Sequence, residues 1–267
     1  MGKGSHWGLE GGAVIMNKRI IILGSGNVAT SIALALKDKC ELAQIYSRTL
    51  ANAQALAQQV GCEATDDLQC LAQDADIYII SVKDDAITSV VDAVTDNGGL
   101  WLHTSGSTPI EVFHDRRARY GVLYPMQSFS KSRPTPMSEV HIFIEGNDKT
   151  TSHETKELAL LMTRNVHEAT SAEREKLHIA AVFACNFANH MFTLSSEVLE
   201  EAGIPFDAML PLIKTTVAKL DSMTPQESQT GPAARGDIRI IEKHLASLSG
   251  DKRKIYKLLS QSILDKK

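Results

Sequence analysis

The sequence predicts an α/β protein: an N-terminal doubly wound parallel sheet followed by an all-α C-terminal domain. Three observations predict it. Short apolar and β-branched runs alternate with helical patterns over the first half of the chain. A glycine-punctuated turn, Gly24 to Ala29, lies between the first strand-like run and the first helix-like run. Strand signals almost vanish after Glu145-Gly146-Asn147-Asp148. Strand–helix alternation is the pattern of a parallel sheet covered on both faces, and 267 residues suffice for two domains. The expected divisions are a flexible lead-in over 1–15, the sheet domain over 16–148 and the helical domain over 149–267.

Taken in order, Arg19–Leu23 is a compact strand and Val28–Leu36 a small, apolar helix suited to packing on a sheet. Leu42–Tyr46 is the next strand and Leu50–Val60 the next helix. Asp76–Val82 is strongly apolar, and Ala86, Ile87, Val90, Val91 and Val94 then recur at helical spacing. Leu100–Thr104 is a further strand. Thr108-Pro109-Ile110-Glu111 reads as a helix start, with an N-cap, a proline at the first helical position and an acid three after the cap. Val122–Tyr124 and Val140–Glu145 add two strands. Beyond them, Ser152–Asn165 reads as a helix, and Ser171–Ala202 as one helix about three times the usual length. That helix stops at Gly203, with Pro205 just beyond. Its middle is apolar nearly all round, which predicts burial inside a bundle or a subunit interface, and hence a homodimer through the helical domain. Phe206–Leu220, Asp237–Leu248 and Asp251–Leu264 are the remaining helices.

Composition excludes several classes. The chain is 43% hydrophobic and 22% charged, with 28 basic against 32 acidic residues and a net charge of −4. Nothing there supplies the positive field a nucleic acid needs. No run approaches about 18 consecutive apolar residues, so no membrane span is expected. Cys40, Cys62, Cys70 and Cys185 form no Cys-x-x-Cys pair and no zinc spacing, so no metal is expected. They read as reduced, mostly buried thiols of a cytoplasmic protein. The start, with five glycines before Met16, has no basic-then-apolar signal pattern.

The turn after the first strand is Gly24-Ser25-Gly26-Asn27-Val28-Ala29, a Gly-x-Gly-x-x-Ala loop in a strand–turn–helix context. Gly24 permits the tight turn, Gly26 lets backbone approach a pyrophosphate, and Ala29 lets helix and strand pack closely. This is the dinucleotide-binding loop of a Rossmann domain. At the end of the second strand, where an acid would hold an NAD ribose, stand Ser47, Arg48 and Thr49. Hydroxyls and a guanidinium suit a 2′-phosphate, so the expected cofactor is NADP. Ser81, Val82 and Lys83 leave the fourth strand beside the nicotinamide, while Asp84 and Asp85 read as helix caps. Ser105 ends the fifth strand. Its hydroxyl either orients a substrate carbonyl or carboxylate, or belongs to a simple turn. Tyr124 and Gln127 leave the sixth strand on the same rim as substrate contacts. Within the long helix, His178 and Asn186, with Asn189 or His190, either line a cleft, where His178 and Asn186 are the candidate catalytic residues and the histidine exchanges a proton, or are satisfied polar groups of a helical core. Arg235 is the natural clamp for an anionic substrate group, or else a solvated arginine. Asp237 reads as a helix cap.

The loop GSGNVA, the SRT after the second strand, HTSGS at the fifth, YPMQSFS and TGPAARGD occur together. The set resembles Rossmann-like NADP oxidoreductases with a C-terminal DUF2520 domain. More distantly it is similar to pyrroline-5-carboxylate reductase, ketopantoate reductase and the β-hydroxyacid dehydrogenases. The resemblance covers roughly residues 17–265. It implies an NADP-dependent oxidoreductase that passes hydride between nicotinamide and a small carbonyl, imine or hydroxy acid held between domains. It also implies a catalytic lysine on the long helix with asparagines one or two turns on. Lys176 is present, but Ala180 stands where the first asparagine would be. The alternative is an NADP-binding sensor or scaffold that has lost the catalytic lysine.

Overall fold

Ile20 to Leu23 are fully buried, and Arg19–Leu23 (β1) takes the centre of the sheet. In this computed structural model, which describes residues 17–130, 133 and 135–266, Glu41–Tyr46 (β2) and Ile77–Ile80 (β4) flank β1 as parallel neighbours. The expected lead-in over 1–15, and Met16, lie outside the described residues. Glu63–Thr65 (β3), Leu100–His103 (β5), Arg119–Met126 (β6), His141–Gly146 (β7) and Val166–Glu168 (β8) complete the order β3-β2-β1-β4-β5-β6-β7-β8. Only β7 runs antiparallel to its inner neighbour, β6; the other pairs are parallel. The sheet is the expected doubly wound one. β3 and β8, of three residues each, are too short to show a period in sequence.

Alternation along β1 divides the core in two. Ile20 and Ile22 pack with Ala29, Ile32 and Ala33 of Asn27–Leu36 (α1) and with Leu50–Val60 (α2). Ile21 and Leu23 face the other way, onto Ile87, Val90 and Val91 of Asp84–Ala93 (α3). Strand order reverses across β1, so the connections leaving β1 and β4 run to opposite sides and open a crevice at their carboxyl ends.

The helix expected from Thr108 is instead a short 3₁₀ turn, Ile110–Phe113. The chain turns away at Asp115, whose φ is 59°, before α-helical turns can accumulate. Thr108 is not the cap. The Ser105 hydroxyl closes the turn by accepting the Ser107 and Thr108 N–H groups at 3.1 and 2.9 Å.

Lys149–Leu160 (α4) packs on the sheet through Leu158 and Ala159, and β8 pairs with β7. For this reason contacts group the chain up to Cys185 with the sheet, and Asn186–Lys267 as a second, helical unit. A Thr170–Glu173 capping box starts Ser171–Ala181 (α5). A π-helical turn, Val182–Phe187, and Ala188–Glu201 (α6) continue it to a 31-residue helix, Ser171–Glu201. The expected burial of this helix is not met within one chain: Arg174 is its only buried residue, and Ile179 is 50% exposed. With a mean hydropathy of 1.2 over its most apolar window, the helix is long and apolar enough to cross a membrane by length and composition.

The helical unit adds Leu210–Ala218 (α7), Pro232–Arg235 (α8), Ile238–Ser247 (α9) and Gly250–Leu264 (α10). An apolar cavity of about 540 Å³ lies within it, lined by Met191, Leu194, Leu199, Ile255 and Ile263 among others. The cysteines are free as expected but not mostly buried: Cys40 and Cys62 are half-buried, Cys70 and Cys185 exposed. Burial pushes the Cys40 and Cys62 thiols up to about 11, so both stay protonated.

Candidate functional site

A cavity of about 990 Å³ opens at the carboxyl ends of β1, β4, β5 and β6, where the strand order predicts a ligand. Gly24 forms its tightest corner. Its φ is +136°, and an added Cβ would lie 2.0 Å from the Ser81 carbonyl oxygen, so only glycine lets the β1 and β4 connections pass each other. Gly26 is different. A Cβ there would meet nothing within 4 Å, and the residue sits at the N-cap of α1 with no side-chain cap. Free space thus faces the uncapped N–H groups of a helix start, an arrangement that fits a pyrophosphate. Ala29 is fully buried against the sheet and does not line the cavity, which is the packing role its position predicts.

Beside this cradle, Ser25 Oγ donates to Ser47 Oγ at 2.9 Å, and Arg48 lies exposed on the cavity wall. Thr49 does not line the cavity. It is the N-cap residue of α2, and Asn52, one turn on, faces the cavity instead. Ser47, Arg48 and Asn52 therefore offer donors to a 2′-phosphate. Asn27 Nδ2 donates to the Phe129 carbonyl at 2.9 Å, tying the phosphate loop to the YPMQSFS segment. Ser81, Val82 and Lys83 line the wall as expected, and Thr104 Oγ1 donates to Ser81 Oγ at 3.2 Å. Asp84 and Asp85, expected only as caps, open α3 and line the cavity too.

At the far end stand Ser105, Gly106, Tyr124, Gln127 and His178. Ser105 Oγ is engaged in the turn described above, and its carbonyl accepts from Arg174 Nε at 3.2 Å. Tyr124 Oη lies 3.2 Å from His178 Nδ1, and the rings meet edge to face. Burial raises the Tyr124 phenol above its ordinary value; Arg174 opposes the shift and Asp84 adds to it. His103, at the end of β5, is fully buried and neutral: burial, with Arg174 near, pushes its pKa down to about 3.

Arg174 was missed in the sequence. It is 1% exposed, donates to the Thr108 carbonyl at 2.6 Å and to Ser171 Oγ at 3.2 Å, and pairs with Glu145 Oε2 at 2.6 Å. Glu145 also accepts from the N–H and hydroxyl of Ser171, at 3.0 and 2.8 Å. A buried guanidinium needs such partners. The charged Ser-Ala-Glu-Arg-Glu-Lys stretch hides it, because arginine there reads as helix surface.

Asn186 and Arg235 belong to the helical unit and not to the unit that holds this cavity. Asn186 is exposed in the π-helical turn, and spacing by four assumes a helix without that interruption. Arg235 is exposed and its Nε donates to Asp237 Oδ2 at 2.9 Å. Asp237 makes no side-chain cap at the start of α9. Lys176 is exposed and absent from the lining.

Two family models match the chain: NADP oxidoreductase coenzyme F420-dependent over residues 19–100, and the domain of unknown function DUF2520 over residues 140–263. No curated protein sequence matches it at a significant level. Among solved structures, a protein assigned as an NADP oxidoreductase from Bacteroides fragilis is 40% identical, with a TM-score of 0.85, over 94% of this chain and 99% of that one. A reductive aminase from Aspergillus terreus, solved with NADPH4, cyclohexanone and allyl amine, shares the fold at 15% identity and a TM-score of 0.69, over 94% of each chain. A 1-pyrroline-5-carboxylate reductase from Streptococcus pyogenes does so at 13% identity and 0.64, over 93% of this chain and 99% of that one. With its phosphate cradle, its donor set for a 2′-phosphate and a 40% identical relative spanning nearly its full length, the chain belongs to the Rossmann-like NADP oxidoreductases that carry a DUF2520 domain.

Proposed function

We propose that this oxidoreductase passes hydride between NADP(H), lying along β1 and β4, and a small carbonyl, imine or hydroxy-acid substrate at the Ser105–Tyr124–His178 end of the cavity. The observation that carries this reading is the cavity itself, which joins the Gly26 cradle and the Tyr124–His178 pair in one space. Bound there, the cofactor supplies the hydride. The chain's own groups hold the pyrophosphate at the start of α1, receive the 2′-phosphate at Ser47 and Arg48, and present Gln127, Tyr124 and His178 to the substrate. NADPH oxidation screened against 2-keto acids, keto-lactones and cyclic imines tests it, and turnover of at least one class is expected. A second reading rests on the exposed Lys176, which leaves the superfamily's lysine out of the cavity: an NADP-binding sensor or scaffold. NADPH binding with no turnover of any class would favour it.

We further propose a homodimer through the helical unit, working in the cytoplasm. Leu212, Val217, Leu220 and Leu258 are each at least half exposed, the last at 70%. Apolar surface spread over so many helices calls for cover, and a second copy of the chain presents the complementary apolar faces. The free thiols are consistent with a reducing compartment. Light scattering at micromolar concentration is expected to give twice the 29.1 kDa chain mass. A 29.1 kDa species alone, or partition into phosphatidylcholine vesicles in place of dimerisation, would refute the dimer.

A further inference from the structure

Two aromatic side chains from different elements meet at the β5–β6 end of the cavity, and the chain makes specific provision for the meeting. Tyr124 comes from β6 and His178 from α5, with Oη and Nδ1 3.2 Å apart. Gly106 lies under both. A Cβ there would be 2.8 Å from His178 Nδ1 and 2.9 Å from Tyr124 Cζ, so any side chain would wedge into the pair. One helical turn before His178, the buried Arg174 fixes the helix to the Ser105 and Thr108 carbonyls and to Glu145. Resting on the oxidoreductase reading above, we propose that Tyr124 and His178 are a proton-delivery pair, and that the group reduced beside them is a carbonyl rather than an imine.

The chemistry of the site supports the choice. When a carbonyl carbon accepts hydride from the reduced nicotinamide, the C–O π bond opens and its electron pair becomes an alkoxide. That oxygen takes the proton of Tyr124 Oη, while His178 Nδ1–H returns a proton to Oη. His178, part exposed, recovers its own from water. The carbonyl is reduced to an alcohol, the cofactor is oxidised, and one proton is consumed. A protonated imine already carries its proton and needs instead a nearby negative charge. The lining residues contributed by the ends of β5 and β6 and by α5 include no carboxylate, and the carboxylates of this cavity, Asp84 and Asp85, stand at the start of α3. The charged groups acting on the pair are Arg174, itself neutralised by Glu145, and Asp84 at the start of α3. With its acidity lowered by burial, the Tyr124 phenol keeps its proton in neutral solution.

The test has two arms. In the protein without substrate, the ring-nitrogen chemical shifts of His178 are followed by NMR in the wild type, Y124F and G106A. Both substitutions are expected to move the Nδ1 resonance; unchanged shifts in both overturn the pair. In the second arm, NADPH oxidation is measured with cyclohexanone, 2-oxobutanoate and 1-pyrroline, and NADPH affinity by calorimetry. At least one of the two ketones is expected to turn over. Y124F and H178A should each lower kcat by about 100-fold or more while changing the NADPH Kd less than about threefold, as removal of a general acid does. Reduction of 1-pyrroline alone keeps the oxidoreductase reading and overturns the carbonyl assignment. NADPH binding with no turnover of any probe overturns the proposal, and failure to bind NADPH overturns both readings.

Discussion

Gly24→Ala and Gly26→Ala are expected to part company: the first loses the fold of the phosphate loop, the second loses only the cofactor. At Gly24 a methyl group would lie 2.0 Å from the Ser81 carbonyl oxygen, and φ is +136°. Backbone strain and overpacking there each cost about 1–3 kcal/mol, so Gly24→Ala should destabilise the protein by about 3 kcal/mol or more. At Gly26 the φ of −73° suits any residue, and the methyl would meet no protein atom within 4 Å. Stability should change by less than about 0.5 kcal/mol, while the NADPH Kd rises at least tenfold, because the methyl stands where the pyrophosphate approaches. Urea denaturation and calorimetric titration of both variants check the pair. A Gly26→Ala protein that binds NADPH normally would remove the phosphate from the start of α1.

Arg174→Ala is expected to cost about 3 kcal/mol of stability, because it strips the charged partner from Glu145 and takes the donors from the buried Ser105 carbonyl and the part-buried Thr108 carbonyl. Glu145, part exposed, can recover some hydration, which keeps the loss at the lower end for a broken buried pair. Arg174→Lys should recover less than half of it: an ammonium is a point charge and cannot serve the four acceptors spread around a guanidinium. Urea denaturation measures both variants. A loss under about 1 kcal/mol for Arg174→Ala would show that the start of the long helix is held by other contacts.

The sheet was legible because β1, β4 and β5 are buried on both faces and read as unbroken apolar runs. The phosphate loop was legible because Gly24, Gly26 and Ala29 each do something that a sequence spacing encodes. Residues whose roles depend on a partner far away in the chain were not legible. Arg174 and Glu145 are 29 positions apart, and each alone reads as helix or strand surface. Gly106 looks like one of several turn glycines until His178 arrives above it, 72 residues on in the same numbering. Thr49 and Asn52 show a subtler limit: the strand end is clear in sequence, but which residue of the following turn faces the ligand depends on where α2 starts. Asn186 marks another. Spacing by four presumes a 3.6-residue period, and the π-helical turn at Val182–Phe187 breaks it.

The central claim is that Ser47 and Arg48 hold the 2′-phosphate of a cofactor whose pyrophosphate sits at Gly26. Calorimetric titration of the wild type with NADPH and with NADH tests it most directly, with Arg48→Asp as the control. NADPH is expected to bind at least tenfold more tightly, a difference of about 1.4 kcal/mol or more, and Arg48→Asp to erase the preference. Equal affinities, tighter NADH, or a preference that survives Arg48→Asp would contradict the account.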